Sequence, residues 1–267
     1  MKGFQNRPLD GRYIAIFLDA LFFYLRRDTV EKEPIIFAMG IKESGEYEII
    51  FHISSKESHL SYSEVINDLY NRGVREPLLF IADVIPKLDE EIRKVFPRAD
   101  FQLCTIHASR NFESEVREYD VDIIDSQLKQ IFLSDDREEA IKRFNEFKNI
   151  WENKYPKQVY NLERKLNYLF TYFQYPEPIR RSIHSNIIEI MNKEIRRIKT
   201  IDSLPTEESA MKIIYLRVAE LNEKWSHRVI NGYFKCKDEL MEMFSKRYPQ
   251  IYTEFGILSR FSKEWNM

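Results

Sequence analysis

Between residues 12 and 53 the chain sets long apolar runs against short polar joints. The runs RYIAIFLDALFFYLR, EPIIFAMGIK and YEIIFHIS are rich in β-branched and aromatic residues, and a joint such as SGE is only a few residues long. Such runs predict three consecutive strands, and such short joints predict an antiparallel meander. The period then becomes helical. In HLSYSEVINDLYNRG, Val65, Ile66 and Leu69 recur at helical spacing, Ser61 and Glu64 stand at capping-box spacing, and Gly73 supplies a stop. EPLLFIAD reads as a buried strand of the parallel type, residues 87–95 as a helix, and ADFQLC as a second buried strand. The predicted order is β-β-β-α-β-α-β.

Beyond Cys104 the strand signal stops. To about residue 177 the pattern is helical, as in Ala140, Phe144, Phe147 and Trp151 after an Asp135/Glu138 capping box. Residues 178–198 predict one further helix, and LPTEESAMKIIYLRVAELNEKW another, with Thr206 as its N-cap. The tail after about residue 232 is helical without clear bounds. No internal repeat or low-complexity tract occurs.

Composition narrows the classes open to such a chain. Its 267 residues, 43% hydrophobic and 14% aromatic, suffice for a substantial core, and 7 Gly, 10 Pro and 31% charged residues favour long helices. No run approaches the roughly 18–20 apolar residues of a membrane span, and MKGFQNRPLDGRY lacks the apolar stretch of a signal peptide, so a cytoplasmic protein with no membrane partner is expected. Cys104 and Cys236 are expected to be reduced thiols. The formal charge is -2, so nucleic-acid binding must rest on local clustering. One such cluster exists, with Arg180, Arg181, Lys193, Arg196, Arg197 and Lys199 set against Glu189 and Glu194.

Three carboxylates stand out chemically. Asp19 ends YIAIFLD and Asp83 ends PLLFIAD, and an acid leaving a buried strand must be paired, solvated or metal-bound. An acid at a strand end is more often a turn former or a helix cap. Glu189 interrupts the apolar NIIEIM, and Asn186, Glu189, Lys193, Arg196 and Arg197 share one helical face. That face reads either as a metal-binding acid beside phosphate-binding cations or as an ordinary Glu189–Lys193 pair. Cys104 and His107, in CTIH, form half of a zinc pattern that no second pair completes; the alternative is a buried thiol and a histidine at a helix start, tied by hydrogen bonds. Trp151, Trp225 and LFTYFQYP read as core, with stacking on a nucleic-acid base as the other option. Neither a glycine-rich phosphate loop nor a GxSxG elbow occurs.

Taken together, the blocks QNRPLDGRYIAIFLDALFFYLR, VINDLYNRGV, VFPRADFQLCTIHASRN, WENKYP, FTYFQYPEPIRRSIHSNIIEIMNKEIRR and ESAMKIIYLRVAELNEKW resemble the Mutator-type transposases of insertion sequences. The likeness covers nearly the whole chain. It implies an α/β, RNase H-like mixed sheet of three antiparallel and two parallel strands, with a helical insertion and a helical C-terminal extension. On this chain that division runs 1–110 for the first part of the core, 111–177 for the insertion, 178–230 for the last part of the core and 231–267 for the tail. The family's catalytic Asp, Asp and Glu fall on Asp19, Asp83 and Glu189, and its Cys/Asp-x-x-His signature on Cys104 and His107, followed by Arg110 and Asn111. Val84 stands where the family has a glycine and a tight backbone, and SIHSN replaces the more usual TTN before the glutamate.

The resemblance further implies two-metal phosphoryl transfer with two Mg²⁺ or Mn²⁺ ions, Asp19 bridging them and Asp83 and Glu189 each holding one. The cations of residues 180–199 would grip DNA phosphates, and His107 would position substrate or an acid unless its role is structural. The implied partners are transposon-end and target DNA and a second copy assembled on that DNA, at the nucleoid. Family members are longer, with an N-terminal end-recognition region, so a catalytic domain or truncated element is expected. Two other functions stay open: a non-catalytic remnant that binds DNA or protein, and an RNase H-like cellular nuclease such as a resolvase.

Overall fold

The computed structural model describes residues 7–26, 30–53, 59–184, 187–197, 207–249, 252–253 and 256–257. Strands β1 (Arg12–Arg26), β2 (Val30–Lys42) and β3 (Tyr47–Ile53) form the expected antiparallel meander. A helix α1 (His59–Asn71) leads to β4 (Glu76–Pro77) and β5 (Leu79–Ala82), then α2 (Leu88–Val95) leads to β6 (Asp100–Leu103). β4 and β5 lie parallel to β1, and β6 lies parallel to β5, giving a six-stranded mixed sheet with the order β3-β2-β1-β5-β6 and β4 beside β1. The run EPLLFIAD thus supplies two strands where one was expected. Pro77 has no amide to donate, so the first of them stays short.

Alternation along the strands loads both faces of this sheet. Leu18, Ala38, Phe80 and Ala82 pack with Val65, Leu69, Leu88 and Ile92 from α1 and α2. Phe17, Phe37, Met39 and Ile81 face the other way, into a larger core built with the helical half of the chain. Burial on both sides explains why these strands read as continuous apolar runs. Gly73 follows α1 with φ 120°, and a Cβ there would meet the Leu9 carbonyl oxygen at 2.9 Å, which makes the predicted stop a glycine requirement.

The helical half comprises α3 (Thr105–Glu113), α4 (Glu118–Phe132), α5 (Arg137–Trp151), α6 (Pro156–Glu163), α7 (Leu166–Leu169), a 3-10 turn (Thr171–Gln174), α8 (Glu177–His184), α9 (Ile187–Arg196), α10 (Glu207–Trp225) and α11 (Tyr233–Arg247). Ala140, Phe144, Phe147 and Trp151 are buried, as are Tyr172, Tyr175 and Trp225, in keeping with their reading as core. Three local expectations shift. The α5 cap is Asp136, whose Oδ1 accepts from the Glu139 amide at 2.8 Å, one residue after the expected pair, because Asp136 has the extended backbone of an N-cap. α1 begins at His59, so Ser61 lies inside the helix. The single helix expected over 178–198 is two, α8 and α9, with residues 185 and 186 outside the described residues, as is the expected cap Thr206.

The two ends of the sheet are treated differently. At the amino ends of β5 and β6, Arg247 donates to the Leu78 carbonyl at 2.7 Å and pairs with Asp100 at 2.8 Å, while the Tyr175 hydroxyl donates to the same carbonyl at 2.8 Å. Near the carboxyl end of β6, Thr105 Oγ1 donates to the His184 carbonyl at 2.8 Å and the buried Gln102 side chain to that of Ile183 at 3.3 Å. These bonds dock the end of α8 and so locate the start of α9.

Replacing the α5 cap by Asp136→Ala is expected to cost about 1 kcal/mol, and Asp135→Ala less than about 0.5, measured by urea unfolding. A second expectation concerns His184, which stacks on Tyr172 at 4.8 Å between centroids. Burial, aided by Arg181, pushes its imidazole down to about 4, against a smaller opposing hydrogen bond to its own backbone. Between about 6.5, the ordinary value, and that lowered one, the unfolded chain binds the proton that the folded chain refuses, so stability falls as pH drops through this window. The loss should approach a few kcal/mol between about pH 6.5 and pH 4, and His184→Gln should flatten it in urea titrations.

Candidate active site

Residues Ile16 and Phe17 of β1 pair with Phe80 and Ile81 of β5, and two residues beyond Phe17 and Ile81 come Asp19 and Asp83. Phe17 and Ile81 face the larger core, and alternation with period two turns both aspartates to that same face. Asp19 Oδ1 accepts from the Ala20 amide at 2.9 Å, and Oδ2 accepts from Asn192 Nδ2 at 2.5 Å. Burial raises the Asp19 carboxyl above its ordinary value; His107 and the bonds from Asn192 and Ala20 work against that rise, and the nearby charge of Asp83 adds to it. Asp83 Oδ1 accepts from the Val84 amide at 2.6 Å. Val84 does not take the left-handed backbone that glycine would favour; among the described non-glycine residues only Lys87 has a positive φ, 64°.

His107 approaches from the first turn of α3. Burial works against its charge, but the Cys104 sulfur, Asp19 and Asp83 outweigh it and hold the imidazole up at about 9. Its Nδ1 is buried without a hydrogen-bond partner. Glu189, on α9, is ion-paired with Arg110 of α3 rather than with Lys193, and the pair is lopsided, Glu189 being 16% exposed and Arg110 58%. One turn further, buried Asn192 spends its amide on Asp19, leaving its Oδ1 without a partner, while Glu189 Oε1 has the ion pair but no hydrogen bond. The site thus gathers Asp19, Asp83, His107 and Asn192, with Glu189 one helical turn before Asn192 on α9.

Among the described residues, no three His, Cys, Asp or Glu side chains converge into a ready-made metal site, and Cys104 and His107 acquire no further zinc ligands. The donors nevertheless suit a hard divalent cation. Two carboxylates stand abreast, a third is held by an exposed guanidinium, and oxygens of Glu189 and Asn192 are buried with unfilled hydrogen-bonding capacity.

The cations that sequence grouped together separate here. Arg180 donates to the carbonyls of Tyr175, Phe173 and Asp135, bracing a turn of the helical half. Arg181, Lys193, Arg196 and Arg197 are exposed, and Arg197 pairs with Glu194 at 3.1 Å. Asn186 and Lys199 lie outside the described residues. Sequence reasoning missed Asn192, although its place three residues after Glu189 puts it on the same helical face, and it missed the pairing of Arg110 with Glu189, for which no local signal exists.

The model of the family "Transposase, Mutator family" matches residues 1–228. This chain belongs to the Mutator family of transposases. Among its relatives, the transposase for insertion sequence element IS905 of Lactococcus lactis subsp. lactis (strain IL1403) is 35% identical over 244 residues, covering 90% of this chain and 62% of the relative. The transposase for insertion sequence element IS1201 of Lactobacillus helveticus is 32% identical over 212 residues, covering 78% and 58%. That for IS256 in transposon Tn4001 of Staphylococcus aureus is 29% identical over 238 residues, covering 85% and 60%. This Mutator-family chain spans about three fifths of the length of the curated relatives it matches. Among its described residues no helix is long and apolar enough to cross a membrane.

A buried carboxylate whose ionised form is disfavoured detracts from the stability of the metal-free fold. The folded chain holds the Asp19 proton more tightly than the unfolded chain does, so this group favours the fold increasingly as pH falls through the carboxylate range, a slope that Asp19→Asn should remove in urea titrations run in chelator. An unchanged slope in that variant would contradict this description of the Asp19 environment.

Proposed function

We propose that this chain is the catalytic domain of a DDE transposase, which cuts DNA at the ends of an insertion sequence and joins the freed 3′ end to target DNA. The observation that carries this reading is the level pairing of β1 with β5, which brings Asp19 and Asp83 abreast on the face that α9 crosses with Glu189 and Asn192. The order of the mixed sheet supports an RNase H-like arrangement, and the helices between Asp83 and Glu189 support an insertion between the second and third acids.

Asp19, Asp83 and Glu189 would hold two Mg²⁺ or Mn²⁺ ions. Such ions supply an activated water or 3′-hydroxyl and stabilise the leaving 3′-oxygen. Asn192 fixes the orientation of Asp19 by its hydrogen bond, so that one carboxylate oxygen is aimed before any ligand arrives. Arg110 screens Glu189 in the metal-free protein, and being largely exposed it is free to turn to a DNA phosphate when the carboxylate is needed. His107, its imidazole held up by the two aspartates and Cys104, balances their charge and would position substrate or an acid. Arg181, Lys193, Arg196 and Arg197 grip the backbone, giving affinity and salt dependence without sequence choice. Two copies assemble on DNA, in the cytoplasm at the nucleoid.

A second reading, a remnant that binds DNA or protein without cutting, draws on the Arg110–Glu189 pair and on the absence of three converged ligands among the described residues. Family membership argues against a cellular nuclease. One assay separates the readings: nicking and strand transfer on insertion-sequence end DNA with and without Mg²⁺. Asp19→Ala, Asp83→Ala and Glu189→Ala should each lower cleavage at least about a hundredfold, the equivalent of about 3 kcal/mol of lost transition-state stabilisation. Metal-independent DNA binding with no cleavage by the parent would favour the remnant, and cleavage that survives all three substitutions would refute the site.

A further inference from the structure

The residue after Asp83 opens into a cleft that the catalytic reading leaves unused. Its volume is about 320 Å³, and it runs from Val84 across the carboxyl end of β6 to the segment holding Asn161, Arg164, Lys165 and Tyr168. β6 is the neighbour of β5, so the cleft begins one strand, roughly 5 Å, to the side of Asp83. Val84 is 41% exposed at its mouth. The floor is aromatic, with the Phe101 and Tyr168 rings edge to face at 5.8 Å.

Charge on the rim is mostly positive. Among the described residues neither Arg164 nor Lys165 makes a salt bridge, whereas the one acid in the lining, Asp89, accepts from the Tyr168 hydroxyl at 3.2 Å. Arg164 instead lies over the Tyr160 ring, 5.6 Å from its centroid, and Tyr160 is itself largely exposed. An unpaired arginine over an exposed tyrosine ring, with an unpaired lysine and two half-buried aromatic rings in the same lining, suits a ligand with both a phosphate and a flat heterocycle. The volume is at the lower end for small-molecule sites and admits one nucleotide, not a duplex.

We infer that this cleft is a nucleotide subsite that takes one unpaired nucleotide of the DNA strand adjoining the scissile phosphate. Arg164 and Lys165 hold its phosphate, the Phe101–Tyr168 floor receives its base, and the Asn161 amide is available to polar atoms on the base or sugar. The inference rests on the transposase reading for the placement of the scissile phosphate, but single-strand recognition is measurable without catalysis.

The test is fluorescence anisotropy of a labelled oligothymidylate of on the order of ten nucleotides, against a blunt duplex of equal length, in chelator and over a range of salt. The double variant R164Q/K165Q should bind the single strand about tenfold more weakly, with its logarithmic salt dependence shallower by about 0.7, for the one phosphate that both side chains hold. Duplex affinity should fall by less than about twofold. Tyr168→Leu should weaken single-strand binding about tenfold, whereas Tyr168→Phe, which loses only the Asp89 bond, should not. Circular dichroism of each variant confirms that it is folded. Equal single-strand affinity in parent and double variant, or equal losses on single strand and duplex, would overturn the inference. Metal-dependent nicking that requires Asp83 but ignores the cleft variants would sink the subsite alone. Cleft-dependent single-strand binding without any nicking would sink the catalytic reading and leave the subsite.

Discussion

Parallel pairing of β1 with β5 is the constraint on which the rest of the site depends. Ile16 faces Phe80 and Phe17 faces Ile81 across the ladder, and both strands are buried on both sides. Because side chains alternate with period two, a slip of one residue would exchange Phe17 for Leu18 in the larger core and send one aspartate to the opposite face. The apolar side chains that hold this register therefore also set where the carboxylates emerge. Asp83 follows the end of β5, whereas Asp19 lies within β1 rather than at a strand end, between Phe17 and Leu21 of the larger core.

Around that pairing, stabilisation and chemistry are separated in space. At the amino ends of β5 and β6, Arg247, Tyr175 and Asp100 form a connected set that saturates the Leu78 carbonyl. At the other end, hydrogen-bonding capacity is left over: His107 Nδ1, Asn192 Oδ1 and Glu189 Oε1 are buried without hydrogen bonds. Buried groups left in that state cost on the order of 1–3 kcal/mol each. The Arg110–Glu189 pair offsets little of it, since an ion pair with one largely exposed partner contributes only about 0–1 kcal/mol.

Much of this architecture is legible in the chain itself. The meander, the two buried strands and the helices with Phe144 and Trp151 inside follow from apolar spacing, a property of neighbouring residues. Where competing local signals sit side by side, the finer reading drifts: Asp135 and Asp136 are both credible caps, and only the extended backbone at Asp136 separates them. EPLLFIAD hid a break at Pro77 for the same reason, since an apolar run does not record which of its amides join a ladder.

The candidate site divides along the same line. Sequence alone marked Asp19, Asp83 and Glu189 as acids in apolar surroundings, and its blocks carried the family resemblance. It also grouped Arg180 with Arg196 and Arg197, because proximity along the chain is the only proximity a sequence displays. Tertiary structure assigned Arg180 to three backbone carbonyls, gave Glu189 to Arg110, and joined Asn192 to Asp19 across 173 positions. It also opened the cleft beside Val84 from residues on four elements, α2, β6, α6 and α7, and the segments that join them. Periodicity is decided by the few residues of one turn or one pleat. The partner of a long polar side chain is decided by whichever element the fold packs against it.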